Sequence, residues 1–290
     1  MFVAVASGST VAATSPDGIT WTQRTLPVSG SWFAVAWNGS VFCAIARNST
    51  VAATSPDGIT WTQRTLPVSV QWQTIAWNGS VFCAVAESST VAATSPDGIT
   101  WTQRTLPVSA AWKAIEWGGG VFCVVASNSA IAATSPDGIT WTQRTLPVNQ
   151  FWSTIAWNGS VFCTTAAFSV TAATSPNGAT WTQQTLPSSG GWGPLVWNGS
   201  VFCAADTSKS MTSSDGAVWT QYANTSIDAE AMAWDGNNFC ALQFNSTSAA
   251  TSPDGIVWTQ RTLPASVQWR GVTASQFTPF WKNYRRCVET

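Results

Sequence analysis

The chain has 290 residues, 45% hydrophobic and only 9% charged, which is enough apolar material for a large core and too few ions for a disordered chain. The formal net charge is −1 and the twelve Lys and Arg are scattered, which argues against nucleic acid or an anionic membrane surface as partner. No run approaches the roughly twenty consecutive apolar residues of a membrane span, and the absence of histidine removes the usual acid–base and zinc apparatus.

At the N-terminus, MFVAVASGSTVAA aligns residue for residue with VFCAIARNSTVAA from Val41 and lacks a basic leading region. It therefore reads as a strand of the fold, in a chain synthesised without a signal peptide. The string TSPDGITWTQRTLP then recurs at a spacing of forty, with its Trp at 21, 61, 101, 141, 181, 219 and 258. Such a period is the mark of a repeat architecture, and there are seven copies.

Within one repeat, residues 32–37 and 41–46 are β-rich runs joined by Asn38-Gly39, a dipeptide suited to a tight hairpin. We name these strands A and B. Residues 51–54 give strand C, SPDG a second tight turn, and residues 60–65 strand D, which Leu66-Pro67 is expected to break. Four antiparallel strands per repeat predict an all-β, seven-bladed β-propeller over residues 1–275. The last A strand, residues 269–274, has no B strand after it, whereas the N-terminus carries B, C and D alone. Pairing of residues 1–6 with 269–274 would close the ring and leave no open edge.

Six cysteines, Cys43, Cys83, Cys123, Cys163, Cys203 and Cys240, share one repeat position inside apolar runs. Equivalent positions on neighbouring blades lie too far apart for disulfides, so buried free thiols are expected and no metal or cofactor is implied.

The segment SPDGITW, with Ser15, Asp17, Gly18 and Trp21 in the first copy, resembles the Asp-box (BNR-type) repeat of sialidase-type propellers. That resemblance implies a structural turn between strands C and D, in which the carboxylate accepts backbone hydrogen bonds and the ring packs in the blade. It assigns this role to Asp17, Asp57, Asp97, Asp137, Asp215 and Asp254, with Asn177 standing in for Asp in one copy. A sialidase-like glycosidase would need paired carboxylates or a Tyr nucleophile with an Arg cluster. The two tyrosines, the repeated D-strand arginines and the dispersed acids, Glu116 among them, supply neither, so the chain is read as non-enzymatic.

The A–B and C–D turns are nearly constant between copies, whereas the B–C and D–A connections, which alternation puts on the opposite face, diverge. One B–C position reads Ser7, Arg47, Glu87, Ser127, Ala167, Thr207 and Phe244. Another, following a recurring Trp, reads Phe33, Gln73, Lys113, Ser153, Gly193 and Arg270. Loops on a rigid scaffold are where binding lives, so this face is the expected ligand face for a glycan or protein receptor. The recurring Trp32, Trp72, Trp112, Trp152, Trp192 and Trp269 have two readings, filling the blade core or stacking on a sugar.

Residues 276–290 match no repeat, and Phe280, Trp281, Tyr284 and Arg285 suggest a segment that docks on an assembly partner or on the propeller itself. Such a module resembles the repetitive propellers of bacterial surface proteins and of phage tail or virion proteins. That resemblance implies a recognition role, with a purely structural virion or scaffold component as the alternative.

Overall fold

The computed structural model describes residues 1–223 and 228–275. The expected tail docking residues, Phe280, Trp281, Tyr284 and Arg285, lie outside these. Short β-branched and aromatic runs punctuated by Gly, Asn and Asp produce 23 antiparallel strands and no helix among the described residues. They are arranged in sheets of nine, six, four and four strands.

Each repeat is a meander in sequence order, as in the four-stranded sheet of Trp72–Trp77, Phe82–Ala86, Ser89–Ser95 and Thr102–Ala110. Its A–B turn is built from the residues that named it. Gly79 takes φ +97°, which costs a glycine little, and Asn78 Oδ1 accepts the N–H groups of Ser80 at 2.8 Å and Val81 at 2.7 Å.

Leu66-Pro67 does not end strand D, contrary to expectation. Thr62–Val70 is one strand, and elsewhere D runs on into the next A strand, as in Thr22–Trp37. The reason lies in the register. Val51 pairs with Thr65, yet Ser49 pairs with Val70, so Leu66 to Ser69 bulge out of the ladder and Pro67 has no cross-strand bond to supply. The same continuity explains the nine- and six-stranded sheets. The first strand lies antiparallel against the last, with Phe2 opposite Ala274 and Val5 opposite Gly271.

The core sits between successive repeats. Cys43 and Ile45 of one repeat pack with Trp72, Ile75 and Phe82 of the next, in a cluster that recurs along the chain. The six repeat cysteines are free and wholly buried, and that burial pushes their thiols up, which leaves them unreactive.

The C–D turns are closed by side chains. Asp57 Oδ1 accepts the N–H of Ile59 at 2.8 Å and of Thr60 at 2.9 Å, together with the Ser55 hydroxyl, while the Trp61 indole N–H donates to Gly58 O at 3.0 Å. Asn177 keeps the same two backbone bonds, at 2.9 and 3.0 Å, because an amide oxygen accepts as a carboxylate does. Asp57→Ala is therefore expected to lower stability by about 1 kcal/mol and Asp57→Asn by much less, measured by urea unfolding. The Thr60 and Ile59 N–H groups hold the Asp57 carboxyl below its ordinary range. Its contribution is thus present above the unfolded pKa and is lost as pH falls through the lower, folded one.

Candidate functional site

Antiparallel alternation puts the A–B and C–D turns at one end of the strands, and the B–C turns and D–A segments at the other. At the divergent end the A strands surround a central cavity of about 390 Å³. Phe33, Gln73, Lys113 and Arg270, four residues expected in a ligand site, line it together with Ser153 and Glu230.

Several of these groups satisfy one another. Arg47 forms an ion pair with Glu87 and donates to Gln73 Oε1 at 3.1 Å and Gln71 Oε1 at 3.0 Å. Arg270 pairs with Glu230. Phe33 lies under both guanidiniums, with its ring centre 4.9 Å from Arg47 and 5.3 Å from Arg270, and Arg270 also covers the Phe244 ring at 4.1 Å. The result is a cross-repeat chain, Glu87, Arg47, Phe33, Arg270, Glu230, which braces the face where the first and last strands meet. Lys113 forms no ion pair among the described residues and is the one lysine or arginine on the cavity wall left to meet an outside group.

The recurring tryptophans do not belong to this site. Trp32, Trp72, Trp112, Trp152, Trp192 and Trp269 are wholly buried, so no ligand can stack on them. Their indole N–H groups donate inward to backbone carbonyls, from Trp32 to Val28 O at 3.2 Å and from Trp112 to Ser89 O at 3.1 Å. An indole buried on both faces with its single donor satisfied is a core residue.

Three features escaped sequence reasoning. Glu230, in the repeat that lacks the recurring Trp, pairs with Arg270 at the cavity wall. Glu116 lies in the cavity wall at a position held by Ala36, Ala76 and Ala156 in other repeats, and burial pushes its carboxyl up to about 8, against one backbone N–H bond from Trp117. Phe168 sits at the tip of a B–C turn with φ +59° and is 81% exposed. Aligning the repeats by position signals each of them, Glu230 as the remaining member of the Phe33, Gln73, Lys113 and Arg270 position, Glu116 as the acid among alanines and Phe168 as the aromatic among turn formers.

No protein-family model and no curated protein matches the sequence. The structure does superpose on solved ones. The Cps50 (Swd1) β-propeller domain of Myceliophteria thermophila matches with a TM-score of 0.65 and 10% identity, over 86% of this chain and 91% of that one. The fold is a β-propeller. A catalytically inactive virginiamycin B lyase from Staphylococcus aureus, solved with quinupristin, matches with a TM-score of 0.75 and 10% identity, over 84% of this propeller and 89% of the lyase. A functionally unknown protein from Desulfotomaculum acetoxidans also reaches 0.75, at 9% identity, covering 93% and 97% of the two chains. At such identities the likeness concerns the propeller fold alone and transfers no activity.

Proposed function

We propose that the chain is a non-catalytic recognition propeller of seven four-stranded blades, closed between Phe2–Ser7 and Gln268–Ala274, that binds a glycan or protein receptor through its divergent face. The reading includes the Asp-box resemblance and, with it, membership of a phage virion or bacterial surface assembly. The observation that carries it is the contrast between faces. One end of the molecule repeats nearly the same turns, while the other diverges between repeats and leaves Lys113 at a central cavity with no ion pair among the described residues.

The test is a glycan array and receptor pull-down with the intact chain, repeated with Lys113→Ala and Arg47→Ala. Binding weakened about tenfold by Lys113→Ala is expected, one lost charge-assisted contact being worth about that much. Binding unchanged by either substitution, or hydrolysis of a glycoside by the purified protein, would overturn the reading. A second reading, a purely structural scaffold component, is favoured by the Arg47–Glu87 and Arg270–Glu230 pairs, which satisfy the face's charges internally. It predicts no ligand at any concentration on the array.

A further inference from the structure

Resting on that reading, we infer a specific pocket on the divergent face, beside the central cavity, that takes a carboxylate-bearing pyranose such as a uronic-acid residue of an acidic glycan. A cavity of about 410 Å³ opens there, with Phe168, Pro194 and Lys113 among its walls. Its size is that of a small-molecule site.

Two local departures from the repeat create it. The repeat containing Gly193-Pro194 starts its A strand late. Pairing begins at Leu195 with Ala204, whereas the preceding repeat already pairs Trp152 with Ala166. Proline lacks the N–H that the ladder would use, so residues 191–194 leave the strand, keeping one bond from the Gly193 N–H to Ala205 O at 3.3 Å.

Phe168 is the second departure. Its turn position is Gly8, Asn48, Ser88, Asn128 and Asn245 in other repeats, all at positive φ. Small polar residues tolerate the left-handed region, and a bulky apolar one is an outlier there. A ring that is strained and 81% exposed contributes nothing to the core, and strain of this kind gathers at binding sites. The ring edge lies 3.7 Å from where a Gly191 Cβ would stand, so a longer side chain at 191, such as the Gln found at 71 and 268, would lie along it. Glycine leaves it bare.

The chemistry of the walls selects the occupant. The bare ring face accepts the C–H face of a pyranose. The Lys113 ammonium, without an ion pair among the described residues, can donate to a carboxylate, while the neighbouring Arg270–Glu230 pair is neutral. The Asp206 carboxylate behind Gly191 is held by the Gly191 N–H at 3.1 Å and the Thr207 hydroxyl at 2.8 Å, so the Lys113 ammonium, and not a net local charge, is what would favour an anionic sugar over a neutral one beside the apolar platform.

Titration calorimetry of the intact chain with trigalacturonate, and with its neutral counterpart trigalactose, tests this. Trigalacturonate is expected to bind at least tenfold tighter than trigalactose, with affinity that falls as salt rises. Phe168→Asn and Lys113→Gln should each weaken trigalacturonate at least tenfold. Asn is native to this turn in other repeats, so Phe168→Asn should fold with an unchanged or higher melting midpoint, which separates lost binding from lost structure. Equal affinity for the two sugars, or trigalacturonate binding indifferent to Phe168→Asn, overturns the pocket. Should the array find a ligand sensitive to Arg47→Ala while trigalacturonate does not bind, the pocket fails and the recognition face stands. Should trigalacturonate, the array and the receptor pull-down all give no binding, both fail.

Discussion

Trp72→Ala is expected to lower the stability of the propeller by about 3–5 kcal/mol. The indole is wholly buried among Leu66, Ile75 and Phe82, and its N–H donates to Val68 O at 3.1 Å. Truncation removes the transfer free energy of the ring, leaves a cavity that two sheets of a close-packed interface cannot collapse into, and orphans a carbonyl acceptor. Trp72→Phe retains much of the volume but not the donor and should fall between the two. Urea unfolding measures both, with Ile59→Ala, at a 46% exposed side chain, expected within about 0.5 kcal/mol of the parent. Were Trp72 a ligand platform, the alanine variant would keep its stability and lose binding. The experiment therefore decides between the two roles that the sequence allows for this residue.

The architecture was legible because each repeat states its structure twice, once in β-rich runs of the right length and once in turn residues whose backbone needs are specific. Asn78-Gly79 and Asp57-Gly58 fix where the chain reverses, and a forty-residue period tells which reversals are equivalent. The continuity of strand D through Pro67 was not legible, since it depends on a register jump seen only once both partners are paired. The fate of the tryptophans was hidden for a related reason. Strands enclosed on both sides by neighbouring repeats show no alternation that separates core from surface. The face chemistry was half legible. Divergence identified Phe33, Gln73, Lys113 and Arg270 as members of one neighbourhood, but the pairing of Arg47 with Glu87, forty residues apart, joins side chains of different repeats and leaves no local trace. Phe168 is hard to see beside Ala167, which occupies the variable B–C position, although an aromatic among Asn, Ser and Gly is the louder departure.

Between about pH 5 and 8, the propeller is expected to lose about 2 kcal/mol of stability through one residue, Glu116. Its carboxyl titrates near 4.5 when unfolded and is pushed up to about 8 by burial in the cavity wall. Below pH 4.5 both states hold the proton and no penalty exists. As pH rises the unfolded chain ionises first, so folding must keep or regain a proton, and stability declines until the folded group ionises and the penalty levels off. A shift of that size would amount to about 5 kcal/mol if fully expressed, and the partial exposure of the side chain to the cavity reduces it to roughly 2 kcal/mol. Histidine, which the chain lacks, contributes nothing in this window, and backbone N–H groups hold turn aspartates such as Asp57 below their ordinary range. Glu116→Gln, which keeps an acceptor for the Trp117 N–H, should flatten the profile measured by urea unfolding at pH 5, 7 and 9. A slope that survives in this variant would assign the titration to another group. Glu116→Ala should go further and exceed the parent at pH 9, because Ala36, Ala76 and Ala156 already fit this position in other repeats. Gly118 is the companion departure, standing where other repeats have Asn38, Asn78 and Asn158, and any Cβ there would overlap the Trp157 ring. An acid that costs stability, in a wall whose neighbour is also altered, is the arrangement expected where a cavity has been shaped for something other than packing.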